Sequence, residues 1–176
     1  MSVTAVSIHP GLVDPLVREL VPREKARWTP AELRDLTSTV ADELGGSLRR
    51  VLRYRSDRRW WARLALTDGV ELWLLSWLAG QGTGAHDHGG AAGAFTVLVG
   101  DLVERYRYPA GPVRVVSRSR GAAVGFGPAR VHDVGNEGVA PAASVHAYSP
   151  PLLPTRHYPG LLTVGSVDSV RLEARA

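Results

Sequence analysis

Turn-forming residues recur every eight to twelve positions from about Trp60 onward, and this spacing limits the folds that the chain can adopt. The apolar segments between the turns are short, and many evenly spaced short strands are typical of a β-sandwich or β-barrel. We predict strands at Val70–Trp77, Ala94–Val99, Leu102–Tyr108, Val113–Ser117, Ala122–Phe126, Ser144–Tyr148 and Leu161–Val167.

The chain before this region carries helical signals. Thr29-Pro30-Ala31-Glu32 combines an N-cap threonine, a first-turn proline and the glutamate of a capping box, so it predicts the start of a helix. The apolar residues that follow repeat at helical spacing; they are Leu33, Leu36, Val40 and Leu44. Gly45–Gly46 is expected to stop this helix, and a shorter helix is expected from Pro15 to Leu20.

A length of 176 residues suits one domain with one core. We therefore predict a single domain over residues 1–176, in which residues 1–55 are a helical N-terminal elaboration and residues 56–176 form the β-barrel. The helices are expected to pack on one face of the barrel.

Several classes of protein are excluded by composition. The chain has no cysteine, which rules out disulfides, cysteine-ligated metals and a catalytic thiolate. No apolar run reaches the roughly 18 residues of a membrane span, and the N-terminus lacks a signal-peptide pattern. We therefore expect a cytoplasmic protein without a membrane partner.

The net charge is +4, and many of the basic residues form one arginine cluster: Arg49, Arg50, Arg53, Arg55, Arg58 and Arg59. Such a cluster can bind nucleic acid or another anionic partner. The sequence has no zinc-finger, RNA-recognition or glycine-rich phosphate motif. We interpret the cluster as a solvated face and expect no nucleic-acid partner; the alternative is an interaction surface.

Two histidines, His86 and His88, follow a glycine-rich turn and lie two residues apart. Strand alternation places both imidazoles on one face, where they can bind one metal ion, and directs Asp87 away from them. A third histidine, His132, lies in a later strand-like segment. Three neutral nitrogen ligands leave positions open for chemistry on a divalent metal. The alternative is that His132 is a hydrogen-bonded core or loop residue.

A second polar pattern occurs in Ser144-Val-His146-Ala-Tyr148, where alternation places the three polar side chains on one strand face. Polar groups on a core-facing side are costly unless they satisfy one another. We predict a relay in which Ser144 orients His146, and His146 orients the Tyr148 hydroxyl toward a ligand at the metal. The alternative is that this face is the solvated outer side of the barrel.

The spacing from Gly80 through the two histidines to Gly100 resembles the cupin metal motif. This resemblance implies a mainly β cupin fold, a double-stranded β-helix or jelly-roll barrel, here with N-terminal α-helices. Gly93 stands where the usual cupin has a glutamate ligand. A three-histidine site adds no negative charge, so a ferrous ion there favours an anionic ligand such as a thiolate and has room for dioxygen. Nickel, manganese and zinc also accept histidine ligands and are the alternatives.

Residues 60–151 more specifically resemble the cysteine dioxygenase family of thiol dioxygenases, through Trp77–Gly100, His132 and the segment Ser144–Pro151. The resemblance implies Fe(II) as cofactor, bound by His86, His88 and His132. It also implies that Tyr148 is the active-site tyrosine, supported by His146 and Ser144, and that the Ser149–Pro150 bond is cis. Gly93 takes the place of the cysteine that is cross-linked to the tyrosine in mammalian members.

The family also holds the substrate carboxylate with an arginine on an early strand, which a guanidinium does bidentately. The resemblance implies Arg63 for this role, with Arg59 as the fallback. The expected reaction adds both atoms of O2 to a small thiol, with L-cysteine giving cysteine sulfinic acid. Alternatives are a 3-mercaptopropionate dioxygenase and a metal-binding cupin without oxygenase activity, such as an isomerase or binding module. We expect a monomer whose partners are a small thiol and O2.

Overall fold

The computed structural model describes residues 6–151, 154–164 and 171–173. Three α-helices precede the main β region. They are α1 (Leu16–Leu20), α2 (Pro30–Glu43) and α3 (Gly45–Val51). No helix in the described ranges is long and apolar enough to cross a membrane.

Twelve strands and one 3₁₀ helix are found in the described residues. The first six strands are β1 (Ser7–Ile8), β2 (Trp61–Leu66), β3 (Glu71–Trp77), β4 (His86–Asp87), β5 (Ala92–Val99) and β6 (Asp101–Arg107). The others are β7 (Arg114–Ser119), β8 (Ala123–Phe126), β9 (Val131–Gly135), β10 (Ala142–Ser149), β11 (Thr155–His157) and β12 (Arg171–Glu173), with the 3₁₀ helix at Leu161–Thr163.

The strands form two antiparallel six-stranded sheets. One has the order β1-β2-β3-β10-β5-β8 and the other β12-β11-β4-β9-β6-β7. Neighbours in each sheet are often distant in sequence, as when β4 lies between β11 and β9. The predicted β-barrel region is therefore confirmed in outline.

The first sheet buries both of its faces. The side toward the helices places apolar residues of β3 and β10 in one core cluster with those of α2, namely Leu72, Leu74, Val145 and Ala147 with Leu33, Leu36 and Val40. The side toward the second sheet buries a separate apolar cluster that includes Trp73, Trp77, Phe95, Val97 and Phe126. The helices thus cover one face of the barrel, as the sequence predicts, and the space between the sheets is left for the functional site.

The start of α2 matches the predicted capping box. Thr29 Oγ1 accepts a hydrogen bond from the Glu32 backbone N–H at 3.3 Å, and the Glu32 carboxylate accepts one from the Thr29 N–H at 2.8 Å. The Glu32 carboxylate also binds Lys25 Nζ at 2.8 Å. The short predicted helix near Pro15 is present as α1.

Helix α2 ends at Glu43, with Leu44 as its C-cap, so the predicted helix stop at Gly45–Gly46 is confirmed. The sequence does not predict that a further helix, α3, begins at Gly45 and buries Leu48 and Val51 in the core. One predicted strand is wrong. Leu161–Thr163 is a 3₁₀ helix rather than the start of a strand; Leu161 is buried, and Thr163 Oγ1 donates to the Gly160 carbonyl at 2.8 Å. The rest of that predicted strand, residues 165–167, lies outside the described residues.

Part of the arginine cluster has local structural partners. Arg53 Nη1 donates to the backbone carbonyls of Arg50 and Leu52, both at 2.8 Å, at the C-terminal end of α3. Arg55 forms an exposed ion pair with Asp57 at 2.9 Å. Carbonyls at a helix C-terminus favour positive charge, so these contacts agree with a solvated, helix-capping face.

Candidate metal centre

Three histidines from two neighbouring strands meet at one point between the sheets. His86 on β4 is paired directly with His132 on β9, and His88 follows β4 by one residue. All three are buried, and their potential ligand nitrogens lie within 4.8 Å of one another. The structure thus brings together the three residues predicted to bind a metal.

Hydrogen bonds fix which nitrogen two of these histidines present. His86 Nδ1 lies 2.9 Å from the Gly84 carbonyl, and His132 Nδ1 lies 3.0 Å from a Glu104 carboxylate oxygen. Both partners are acceptors, so Nδ1 carries the proton in each ring and Nε2 keeps its lone pair. Burial, together with nearby His132, holds the pKa of His86 well below its ordinary value, which keeps the imidazole neutral. This donor set fits a divalent transition metal.

Close packing at Gly93 explains the missing glutamate. Gly93 is paired with Tyr148 on β10 and with Phe126 on β8. A Cβ atom at this position would lie 2.6 Å from the Phe126 ring and 2.9 Å from Tyr148 Cδ1. Neither a glutamate ligand nor a cysteine fits here without displacing these rings, so the histidines are not joined by a carboxylate from this strand.

Asp87 points away from the histidines, as alternation predicts. Its carboxylate accepts hydrogen bonds from the Gly89 backbone N–H at 2.8 Å, from Arg156 Nε at 3.0 Å and from the Tyr158 hydroxyl at 2.8 Å. Partial burial alone would raise the pKa of Asp87, but Arg156 and the other donors lower it. Asp87 therefore links β4 to Arg156 in β11 and to Tyr158, which follows β11.

The second polar pattern forms a chain of hydrogen bonds that begins at Trp77, one side chain before the predicted start. Trp77 Nε1 donates to Ser144 Oγ at 2.9 Å, Ser144 Oγ lies 2.8 Å from His146 Nε2, and His146 Nδ1 lies 3.1 Å from the Tyr148 hydroxyl. All four side chains are buried between the sheets. The alternative that this face is the solvated outside of the barrel is therefore wrong.

Trp77 anchors the start of this chain. An indole N–H only donates, so it occupies one of the two lone pairs of Ser144 Oγ. The hydroxyl keeps its proton and its second lone pair for the contact with His146 Nε2. In the arrangement in which Ser144 donates to Nε2, the His146 ring carries its proton on Nδ1, donates to Tyr148 and leaves the Tyr148 hydroxyl proton for a ligand in the cavity.

A cavity of about 310 Å³ opens beside the histidines. It is lined by Arg59, Trp61, Trp73, Leu75, Thr83, His86, His88, His132, Val134, His146, Tyr148, Thr155 and His157. The lining joins the three histidines, the Tyr148 hydroxyl, one guanidinium and an aromatic wall. Such a combination suits a small anionic ligand held next to a metal.

The two candidate arginines are placed differently. Arg59 lines the cavity, with its guanidinium 4.8 Å from the Trp77 ring centroid. Its Nε and Nη1 are buried and have no hydrogen-bond acceptor among the described residues. Arg63 is not part of the lining and lies with its guanidinium 5.6 Å from the Trp73 ring centroid. The geometry therefore favours the fallback, Arg59, as the anion-binding group.

Besides Trp77, sequence reasoning missed two titratable residues at this centre. His157, which no sequence motif places in the site, lines the cavity and stacks on His86 with ring centroids 5.7 Å apart. It reaches this place because β11 pairs with β4 and sets His157 opposite His86. Glu104 accepts the hydrogen bond of His132. In the sequence it is one charged residue within a half-apolar strand, and no motif marks it.

Comparison of the sequence with protein families agrees with the geometry. The family model of cysteine dioxygenase type I matches residues 36–159. That span contains all three histidines of the centre and the polar segment of β10. None of the curated proteins matches the chain significantly.

Solved structures of low identity share the fold. The TT1209 protein from Thermus thermophilus is 23% identical, with a TM-score of 0.52 over 58% of this chain and 93% of that one. An uncharacterized conserved protein with a double-stranded β-helix domain from Klebsiella pneumoniae subsp. pneumoniae MGH 78578 is 18% identical, with a TM-score of 0.50 over 61% and 90%. A cupin superfamily protein from Desulfitobacterium hafniense DCB-2 is 14% identical, with a TM-score of 0.48 over 57% and 84%.

These similarities concern the fold alone. Together with the two six-stranded sheets, the first two of them confirm the predicted mainly β cupin barrel with N-terminal helices.

Proposed function

Because the chain belongs to the cysteine dioxygenase type I family, we propose that it is an Fe(II)-dependent dioxygenase acting on a small thiol that carries a carboxylate. The first candidate substrate is L-cysteine, which would give cysteine sulfinic acid. The observation that carries the proposal is the three-histidine centre without a carboxylate ligand, set in a cavity with both Tyr148 and Arg59.

The reaction balances without another electron donor. A thiol and one molecule of O2 give a sulfinic acid, R–SH + O2 → R–SO2H, so the sulfur supplies all the electrons. Fe(II) held by His86, His88 and His132 would supply the open positions and the redox chemistry for this oxidation.

The protein's own residues would hold the substrate and keep water away. The Arg59 guanidinium matches a carboxylate with two parallel hydrogen bonds. The Tyr148 hydroxyl, fixed by His146, donates a hydrogen bond to the bound substrate. The aromatic side of the cavity, Trp61 and Trp73, shields this arrangement from solvent, and fixed positioning of this kind supplies much of the rate gain.

A second substrate, 3-mercaptopropionate, is favoured by one observation. No aspartate or glutamate lines the cavity in the described part of the chain. The protein therefore offers no carboxylate partner for a substrate amine, and a thiol without an amine fits the same lining. A metal-binding cupin without oxygenase activity is less well supported, since it has no need for the Tyr148 relay or for a buried arginine.

The experiment is a thiol panel with metal-loaded protein. The purified chain is loaded with Fe(II) without air, then given O2 and cysteine, 3-mercaptopropionate, cysteamine or homocysteine, and the products are read by mass spectrometry. The proposal expects a product heavier than one thiol by two oxygen atoms, both labelled when ¹⁸O2 is used. Zn(II)-loaded protein is the control, because zinc has no redox chemistry. An iron-replete protein that oxidises no thiol would overturn the proposal.

The proposal includes a monomeric, cytoplasmic protein that needs no nucleic acid and no membrane. Light scattering at working concentration tests this assembly state, and a stable dimer would contradict it.

A further inference from the structure

Glu104 is a fully buried carboxylate directly behind one metal-ligand histidine. It lies on β6, next to β9, and its Oε1 is 3.0 Å from Nδ1 of His132. The side chain has no exposed surface. A buried carboxylate is costly unless its oxygens are paired, so its partners show what it is placed to do.

Two arginines hold the same carboxylate from the other sides. Arg118 on β7 donates to Oε2 from Nη2 at 2.7 Å and from Nε at 3.1 Å. Arg130 Nη1 lies 3.3 Å from Oε1, and its guanidinium sits 3.5 Å from the Tyr106 ring centroid. The carboxylate is therefore fixed in place by two cations, and His132 receives a well-defined acceptor.

We propose that Glu104 is a positioning residue for the metal centre: it holds His132 in the Nδ1–H tautomer, so that Nε2 faces the metal, and it brings negative charge to a centre that has no carboxylate ligand. This inference rests on the proposed metal site of His86, His88 and His132. It adds a residue outside the ligand set and outside the cavity lining.

The Glu104 carboxylate would act on the metal through His132, without taking one of the metal's coordination positions. An acceptor on the far nitrogen makes an imidazole a stronger ligand and fixes its ring orientation. The usual cupin glutamate would do this by binding the metal itself, which Gly93 and its close packing against Phe126 do not allow. Glu104 acts through the His132 ring and leaves the open positions for substrate and O2. Arg118 and Arg130 also pair with this carboxylate and partly neutralise its charge. The carboxylate therefore makes His132 a stronger ligand without removing the proton from its Nδ1.

The test compares metal affinity in four forms of the full chain. Apoproteins of the wild type, Glu104→Gln, His132→Ala and Asp101→Asn are titrated with Fe(II) without air, against a competing chelator. Asp101→Asn is the matched control, because this exposed carboxylate lies on the same strand and touches no ligand. The carboxylate accepts from His132 through one oxygen and from Arg118 through the other, whereas a glutamine has one acceptor oxygen for these two partners. We therefore expect Glu104→Gln to weaken Fe(II) binding by about 10- to 100-fold. Asp101→Asn should bind as the wild type does.

A second measurement needs no variant. Long-range ¹H–¹⁵N NMR spectra of the metal-free wild type report which ring nitrogen of His132 carries the proton. We expect Nδ1–H; the Nε2–H form would overturn the inference, even where Glu104→Gln does not fold. Unchanged Fe(II) affinity in a folded Glu104→Gln would overturn it as well.

The His132→Ala variant separates this inference from the proposed function. If His132→Ala loses Fe(II) and Glu104→Gln does not, the metal centre stands and the role of Glu104 fails. If His132→Ala binds Fe(II) as tightly as the wild type, the metal centre itself is wrong, and the proposed function fails with it.

Discussion

The indole nitrogen of Trp77 lies 2.9 Å from the hydroxyl oxygen of Ser144, and this contact anchors the hydrogen bonds that end at Tyr148. The indole N–H can only donate, so it holds the Ser144 hydroxyl in place, 2.8 Å from His146 Nε2. Trp77 is not part of the cavity lining. It supports the site from behind, through Ser144 and His146.

Replacing Tyr148 by phenylalanine should leave Fe(II) binding unchanged and lower kcat by about 100-fold, the loss typical of one preorganised donor. Trp77→Phe should have a smaller effect, about 10-fold, because Ser144, His146 and Tyr148 remain and only the hydrogen bond that holds Ser144 is lost. Steady-state O2 uptake with cysteine and iron analysis of each variant check both. Tyr54→Phe, a half-exposed tyrosine outside the cavity, is the control. Full activity in Tyr148→Phe would remove the relay from the mechanism.

Substituting the two candidate arginines by glutamine should separate them. Arg59→Gln removes a charge-assisted pair of hydrogen bonds to the carboxylate, which is worth about 10- to 100-fold in KM. Arg63→Gln should change KM by less than about twofold, since Arg63 does not line the cavity. Cysteamine, a thiol without a carboxylate, should respond to neither change. A large effect confined to Arg63→Gln would show that Arg63, the residue implied by the family resemblance, binds the carboxylate instead.

Adding one methyl group at Gly93 should destabilise the protein. The new Cβ would press on the Phe126 ring from 2.6 Å, and overpacking of this kind costs about 1–3 kcal/mol. Gly127→Ala is the control, because nothing lies within 4 Å of the equivalent position. Urea unfolding of the metal-free proteins gives both free energies, and equal stability of the two variants would show that the rings near Gly93 yield easily.

Acid should weaken the start of α2 in a defined range. Lys25, followed by the Thr29 cap, lowers the pKa of Glu32 from 4.5 to about 2. A carboxyl with a depressed folded pKa stabilises the fold above its unfolded pKa, and this contribution is lost as the pH falls from about 4.5 toward 2. We expect the stability difference between the wild type and Glu32→Gln to be constant above pH 5 and to shrink below it. Unfolding curves of both apoproteins over this range test it, and a difference independent of pH would contradict the pKa shift.

The sequence predicts best where one local rule decides the structure. The capping box at Thr29 forms as expected, since its partners are three residues apart. The end of α2 at Glu43 also agrees with the stop signal of Gly45–Gly46. The sequence does not indicate α3, whose Leu48 is buried in a core formed with distant parts of the chain. Leu161 misleads because apolar residues around a buried 3₁₀ turn resemble those of a short strand.

The same distinction holds at the centre. Side-chain alternation within β10 is enough to predict that Ser144, His146 and Tyr148 share one face. The same alternation predicts that His86 and His88, on either side of Asp87, point the same way. The places of Glu104 and His157 depend instead on which strands become neighbours, β6 with β9 and β11 with β4. The choice between Arg59 and Arg63 depends on where the barrel closes around the cavity. No local pattern in the sequence encodes such pairings.

The position of β4 between β9 and β11 has a consequence for the order of events in the cell. All three metal ligands precede β11 in the chain, yet β4 gains its second neighbour, and the Arg156–Asp87 ion pair, only from residues 155–158. A chain is synthesised from its N-terminus, so the strand that carries His86 remains an edge strand until these later residues have left the ribosome. We therefore expect the proposed metal site to be completed late in the biosynthesis of this protein, and ribosome-bound chains that stop before residue 155 should not retain iron.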